Sequence, residues 1–406
     1  MDGFPRMNVD IVVVGAGPAG LCFAKALADT GLSIVVVEQQ PLASLREPAF
    51  DGREIALTQR STRILRELGL WERLGPADMS PLRSARVLNG RSQRGLSVVP
   101  TGSGDTELGF LVPNDRIRRA AFAGVEHEPH ITLAADTVVK GISFENDLPR
   151  LQLSNGASVS ARLVIAADSR FSQLRRDAGI AADMHDFGKS MLVCRMALEQ
   201  PHGDEALEWF DHGQTLALLP LRDGQASVVL TLPGQTMKTV MAMDEDSFNR
   251  EMRRRFDGRF GQMSLTSTRH VYPLVAVYAH RFVGPRFALI GDAAVGMHPV
   301  TAHGFNLGLQ SVETLAREVR QALSAGQDIA SPALLQRYQR QHRLATRPLY
   351  LATLAIVKLY TDDRLPARLV RTALLQASQA APPFRLTLAR MLSGGRGRSA
   401  LPATST

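Results

Sequence analysis

The sequence predicts an α/β fold, in which a parallel-sheet domain is interrupted by an inserted mixed β-sheet domain and followed by a C-terminal helical segment. Three observations carry this. The first residues spell a strand, a glycine turn, a helix and a second strand. Apolar strand texture gives way to polar-linked β texture over 183–275 and returns at Arg286–Ile290. A long helical stripe and a basic, Pro-broken helical segment then close the chain. The expected stretches are 1–182 and 276–345 for the first domain, 183–275 for the inserted one, 346–393 for C-terminal amphipathic helices, and 394–406 for a Gly/Ser/Pro/Thr-rich tail without fixed structure.

Val9–Val14 is a β-branched run and reads as a buried parallel strand. Leu21–Ala28 reads as a helix stopped by Gly31, and Leu32–Val37 as the next strand, completing a βαβ unit. Ser61–Leu70 places Ile64, Leu65 and Leu68 on one helical face, and Pro113–Phe122 is a further helix. Ile131–Phe144, Arg150–Val159 and Leu163–Ala166 read as strands, with a turn at Asn155-Gly156. Met191–Leu198, Thr215–Pro220 and Ala226–Leu232 supply the inserted sheet. Leu307–Ala325 is a helix with the stripe Leu309, Val312, Leu315, Val319 and Leu323, and Gly326 as its stop. Leu349–Leu392 is helical and amphipathic, broken by Pro366 and Pro382-Pro383.

With 406 residues, 45% hydrophobic and 21% charged, the composition is that of a soluble globular protein with a large core. Cys22 and Cys194 stand far apart without a CxxC, which suits two buried thiols in a reducing cytoplasm and excludes a Cys-rich metal site. The early first strand leaves no space for a secretory leader, and no apolar run reaches membrane-spanning length. The net charge of +8 is uneven: between Thr346 and Arg398, nine Lys/Arg face two acids, leaving +7 there and +1 elsewhere. A basic segment suits nucleic acid or an anionic membrane. No aromatic interleaving or nucleic-acid motif accompanies it, so nucleic acid is not expected. Leu365, Leu369, Val370, Ala373 and Leu374 share a face with Arg364, Arg368 and Arg371 off it, as on helices that lie on a membrane surface or meet a partner protein.

The chemistry concentrates in two motifs. In Gly15-Ala16-Gly17-Pro18-Ala19-Gly20, Gly15 permits the turn, Gly17 lets backbone approach a pyrophosphate, and Gly20 allows close helix–strand packing. The helix start then offers free N–H groups to phosphate. Glu38 ends the second strand, where an acid accepts adenosine ribose hydroxyls and disfavours a 2′-phosphate. This loop alone leaves FAD and NAD both open. The second motif, Gly291 to Asn306, decides for FAD. Asp292 can accept from a ribityl chain, and the N–H groups of Gly304, Phe305 and Asn306 open a long helix where a reduced isoalloxazine gathers negative charge. Pro299 is a rigid apolar wall beside that ring. No second G-x-G-x-x-G exists, so no separate nicotinamide domain is expected.

On these motifs the chain resembles the group A flavoprotein aromatic hydroxylases, with a para-hydroxybenzoate hydroxylase-like Rossmann domain. Within them it resembles the ubiquinone-biosynthesis UbiH/UbiF/VisC type. The residues that carry this are GAGPAG, Glu38, Asp51 to Leu57, Ala167-Asp168 with Ser172 and Arg175, GDAAVGMHP, GFNLGL and the tail from Asp363. HPVTAHGFN is most similar to the UbiM branch, whose members resemble demethoxyubiquinol 5-hydroxylases. The chain departs from the family in Ser169 after Asp168, His303 before GFN, and Gln310-Ser311 after NLGL.

The resemblance implies FAD as cofactor, O2 as co-substrate, NAD(P)H or another reductant as donor, and ring hydroxylation of a prenylated phenol or quinol through a flavin C4a-hydroperoxide. It implies FAD contacts at Gly15, Ala16, Gly17, Pro18, Ala19, Gly20, Glu38, Gln39, Arg53, Asn114, Val139, Asp168, Asp292, Pro299, Gly304, Phe305 and Asn306. His298, His303 and Pro299 are the candidate catalytic residues, since a histidine can relay a phenolic proton near neutral pH. Met191, Met196, Trp209 and Phe210 are candidates for a prenyl channel or for plain sheet core. A prenylated substrate lives in the bilayer, so attachment to a membrane surface or a quinone-biosynthesis complex through the C-terminal helices is expected. Two other readings stay open: a flavin oxidoreductase or epoxidase of the same fold, and a non-enzymatic flavoprotein scaffold.

Overall fold

The β-branched runs of the first domain meet in one sheet because each is apolar on both faces, as strands covered by helices on either side must be. The computed structural model describes residues 6–90, 95–100, 106–145, 148–211, 213–299 and 303–361. Arg6–Val14 lies at the sheet's centre, parallel to Ile34–Val37 on one side and to Ser158–Ala166 on the other. Ile131–Ala134 and Phe287–Leu289 extend it outward, again in parallel. Val283–Gly284 and the hairpin Val139–Glu145/Leu148–Leu153 add antiparallel edges. Gly156 turns the following hairpin at φ +84°, the left-handed conformation expected of an Asn-Gly turn.

The helices start and stop close to their sequence signals. The first runs Pro18–Lys25, a turn earlier than its apolar run suggested, because Pro18 occupies the first helical position. Gly31 ends the following 3-10 turn in the left-handed region. Thr58 caps Gln59–Glu67 by accepting from the Ser61 N–H. The long helix spans Gly304–Ser324, with Leu309, Val312, Leu315 and Val319 buried and Leu323 partly so.

The second sheet has the strand order Val295–Gly296, His270–Ala279, Ala182–Leu198, Gln225–Pro233, Gln214–Pro220, Glu205–Asp211, Ser84–Asn89, Leu96–Val98, with Met263–Leu265 paired to Ala182–Leu198. Two of these strands precede residue 100, and Ser84–Asn89 runs parallel to Glu205–Asp211. Their texture gave no sign of that long-range pairing. Positions 182/183 and 275/276 fall inside strands, so the chain passes between the two sheets without a linker. One face of this sheet packs against Gly234–Met241 and Glu245–Arg255 through Leu192, Cys194, Met196, Trp209, Leu218, Val228 and Leu230. The other face turns toward the first domain, where a Cβ on Gly52 would sit 2.8 Å from Val193 Cγ2.

The last described helix, Pro332–Thr361, carries Pro348 in its interior and crosses residue 346, where the C-terminal segment was expected to begin. Tyr338, His342, Thr346, Tyr350, Thr353 and Val357 are buried, so this helix is part of the core. Leu365, Leu369, Val370, Ala373 and Leu374, with their arginines, lie outside the described residues, as does 394–406. Among the described residues no helix is long and apolar enough to cross a membrane. Cys22 and Cys194 are free and buried, and burial pushes both thiols up to about 12.

Candidate active site

The glycine loop does what its spacing predicts. Gly15 adopts φ +108°, and a Cβ there would lie 2.5 Å from the Ala167 carbonyl oxygen. A Cβ on Gly20 would lie 2.0 Å from the Gly15 carbonyl oxygen, so helix and strand touch backbone to backbone. Gly17 faces open space, with no atom within 4 Å of its would-be Cβ, at the start of the helix. That is the gap a pyrophosphate needs in front of free N–H groups. The Glu38 carboxylate accepts from the Ala16 N–H (2.7 Å) and the Gln40 N–H (2.9 Å), which fixes it over the loop. Gln39 is exposed beside it, and Val139 begins the strand that follows Thr137, whose N–H bonds the Glu38 carbonyl (2.8 Å).

Asp168 sits against the same loop, with its Cα 2.9 Å from the would-be Gly15 Cβ. Burial raises its carboxyl, and its Oδ1 is buried without a hydrogen-bond partner. An unpartnered buried oxygen costs about 1–3 kcal/mol, which a cofactor hydroxyl would relieve. Ser169, in place of the family's glycine, is accommodated because its backbone is not left-handed and its hydroxyl accepts from the Phe171 N–H (3.1 Å).

Gly291-Asp292 lies between the first helix and the long one. A Cβ on Gly291 would meet Ala19 Cβ at 3.0 Å, and one on Gly308 would meet Gly291 Cα at 3.5 Å. Ser311 accepts from the Gly291 N–H (3.0 Å) and donates to the Gly308 carbonyl, so one of the family departures is the anchor of this loop. Arg170 holds Asp292 (2.9 Å) and also donates to the Val275 carbonyl of the second sheet (3.0 Å). Fully buried Arg175 donates to the Ala293 and Arg170 carbonyls. Sequence reasoning did not single out Arg170. Its role depends on a partner far along the chain.

Arg53 stands where the two domains meet. It bonds Asp51 (2.6 Å), lies 5.4 Å over the Tyr272 ring, and its carbonyl accepts from the Asn114 N–H. Asn114 also donates to Asp51 (2.8 Å). Burial alone would raise the Asp51 carboxyl, but the Arg53 and Asn114 bonds hold it below its usual range.

At the mouth of the long helix, Asn306 uses its side chain to bind a strand. Its Oδ1 accepts from the Thr58 N–H (3.1 Å) and its Nδ2 donates to the Ala56 carbonyl (2.8 Å). Its side chain thereby ties the start of the long helix to strand Glu54–Thr58. Gly304 faces open space, Phe305 is half-buried, and His303 is buried at the N-cap position. His298 is buried edge-on to Phe187 at 4.7 Å, and burial, with the Lys189 and Arg170 charges, pushes its pKa down to about 4. Its ring is therefore neutral at physiological pH. Pro299 is exposed at the edge of the described loop.

Alternation along the strands splits the four prenyl-channel candidates. Met196 and Trp209 belong to the core under the helices. Met191 lies with Val193, Leu274 and Tyr272 on the opposite face, and Phe210 shares that face by register with Met191 through Thr215 and Thr231. Arg253 and Arg254 are exposed, whereas Arg255 is tucked against Glu251 and Gln214.

The loops, the open space at Gly17 and the unpartnered Asp168 oxygen together fit an FAD. The FAD binding domain model matches residues 8–350. The ubiquinone hydroxylase UbiM of Neisseria meningitidis is 44% identical over 96% of this chain and 86% of its own length. The ubiquinone hydroxylase UbiL of Rhodospirillum rubrum is 32% identical over 95% of this chain and 89% of its own. Among solved structures, the p-nitrophenol 4-monooxygenase PnpA of Pseudomonas putida superposes with a TM-score of 0.78 at 19% identity, covering 97% of this chain and 100% of that one. The chain belongs to the FAD-binding-domain family of flavin-dependent monooxygenases, in the group that includes the ubiquinone hydroxylases.

Proposed function

We propose that the chain hydroxylates the aromatic ring of a prenylated phenol or quinol in ubiquinone biosynthesis, at the demethoxyubiquinol 5-position. The observation that carries this is the apposition of the Gly304–Asn306 helix mouth, tied to strand Glu54–Thr58, with the largely apolar inner face of the second sheet. When bound, FAD supplies electron acceptance from NAD(P)H or another reductant and activation of O2 for oxygen transfer. The protein's own residues do the rest. The Gly17 gap and the helix start hold phosphate; Glu38 holds ribose; Asp168 and Asp292 hold the linking hydroxyls. Met191, Val193 and Phe210 exclude water from the ring substrate and take its apolar part. His303, buried at the helix mouth, tunes the substrate end. Exchanging it for Gln, with turnover and coupling left as in the parent, would remove that role.

The test is twofold. Purified protein with NAD(P)H and O2 is to convert a prenylated phenol into a product heavier by one oxygen; reductant consumption without oxygen in the product overturns the reading. Cells lacking the gene are to accumulate a precursor short of one oxygen, cleared when the protein is restored.

We also infer peripheral attachment to an anionic membrane or a quinone-biosynthesis complex at the cytoplasmic side, supported by the +7 charge of 346–398 and by the bilayer solubility of such substrates. Because helix Pro332–Thr361 is part of the core, the informative truncation removes 362–406 only. Equal liposome binding by full-length and shortened protein refutes it.

A further inference from the structure

The inner face of the second sheet carries apolar side chains with polar ones among them, and two buried oxygens, one on this face and one on the strand opposite, lack a partner. Arg195 and Ser227 are cross-strand neighbours on this face. Arg195 reaches across to the first domain and grips Glu54 through Nε (2.8 Å) and Nη2 (2.6 Å), both on the same oxygen, Oε1. The second oxygen, Oε2, is buried with no hydrogen-bond partner, and so is the Ser227 hydroxyl. The Glu54 side chain has no solvent exposure. A folded protein seldom leaves a buried carboxylate oxygen empty, so the atom is placed to receive something.

Its position says what. Glu54 begins the strand whose Ala56 carbonyl and Thr58 N–H are bound by Asn306 at the helix mouth. Alternation puts Glu54 on the same side as Ala56, two residues or about 7 Å away, while Ile55 and Leu57 face the first domain's core. The carboxylate thus points from the strand that Asn306 binds toward the inner face of the second sheet, where Arg195 meets it. Arg195, 4.7 Å over the Phe50 ring, fixes it from the sheet side. The other charged groups near it are Asp51 in the preceding loop and Asp115 at the start of helix Asn114–Ala123.

We propose that Glu54, held by Arg195, takes the hydroxyl proton of the phenolic ring during hydroxylation. The ring's O–H bond breaks, a bond from that proton to Glu54 Oε2 forms, and the electron pair stays on the ring oxygen, which makes the ring carbon more nucleophilic. The proton returns to the product oxygen before release. Burial raises the Glu54 carboxyl to about 7, with Asp115 and Asp51 adding to the rise and Arg195 opposing it. A group poised near neutrality suits this exchange better than His298, whose ring protonates only near 4. The inference rests on the phenolic substrate class proposed above.

The test uses FAD-loaded protein without reductant, mixed at pH 8 with 4-chlorophenol, which is neutral in solution at that pH and whose phenolate has its own near-ultraviolet band. Proton release is read with a pH indicator. The parent protein is expected to show the phenolate band with no proton released, because Glu54 keeps it. Glu54→Gln, whose amide oxygen still accepts from Arg195, is expected to lose the band or to release one proton per probe bound. Glu54→Asp, keeping a carboxylate, is expected to restore the silent transfer and serves as the readout if the Gln variant loses flavin. A Gln variant with the band and no proton release overturns the proposal. So does a parent protein that releases a full proton, or a loss of silent transfer in Glu208→Gln rather than Glu54→Gln. Turnover of the prenylated phenol, followed in parallel, reads the substrate class separately: absence of product with the proton pattern intact removes that class and leaves Glu54 in place.

Discussion

The two halves of the site are built on opposite rules. Around the glycine loop, side chains are missing where they would interfere: Gly15 and Gly20 bring backbone against backbone, and Gly17 leaves a gap. Where the second sheet's inner face meets strand Glu54–Thr58, side chains are present but under-used: Glu54 on the strand and Ser227 on the sheet each keep a buried oxygen without a partner. The first half is a mould for a ligand shared by many proteins, so its demands are steric and local. The second half meets a ring that must be both held and changed, so its demands are electrostatic and assembled over distance.

Gly20→Ala should do the most damage. Its Cβ would lie 2.0 Å from a carbonyl oxygen, and the protein should emerge from purification without flavin absorbance and about 3 kcal/mol less stable to urea. Gly17→Ala, with space to spare, should melt like the parent yet bind FAD more weakly; equal losses for the two would break the distinction between packing and ligand gap. Arg195→Met comes next. It leaves the Glu54 carboxylate buried and alone, at a cost of about 3 kcal/mol, whereas the double change Arg195→Met, Glu54→Met should recover most of it in the same denaturation experiment. No recovery would mean that Arg195 stabilises by more than this pairing.

Glu208 sharpens the comparison through pH. It shares the inner face, makes no hydrogen bond or ion pair, and burial pushes its carboxyl up to about 8 from an ordinary 4.5. Between those values the folded protein holds the proton more tightly than the unfolded chain, so stability falls as pH rises from about 4.5 to 8. Glu208→Gln should flatten that part of the Tm-against-pH curve; an unchanged slope would assign it to other groups. Ser311→Ala is the smallest expected effect, about 1–2 kcal/mol from losing the acceptor of the Gly291 N–H, and it should loosen FAD without touching the second sheet.

Legibility followed the same division. GAGPAG, Glu38, the Gly291-Asp292 loop and the Gly304 helix start were readable because a turn, a cap or a close approach restricts residue type at a fixed spacing. The first helix kept its expected eight-residue length and only shifted one turn toward the N-terminus, with Pro18 at its start. Ser84–Asn89 was unreadable as a strand of the second sheet, since its partner Glu205–Asp211 lies over a hundred residues on. Glu54 was visible only as part of a matching string: nothing local says that Arg195 will meet it. Ser311 was noticed as a departure, but its purpose required Gly291 to be seen in contact. Asn306 was read for its backbone, while its side chain proved to be tied to strand Glu54–Thr58.

The seating of Gly291 against Ala19 on one side and Ser311 on the other has a consequence for synthesis. The glycine loop emerges among the first residues, yet the contacts that close it come nearly three hundred positions later. Until the ribosome has delivered the long helix, the cleft has a floor but no far wall, and nothing can hold an isoalloxazine. Contacts of such sequence separation form late and slowly. Flavin capture therefore waits for the long helix, and retained yellow colour reports a chain made and folded at least that far.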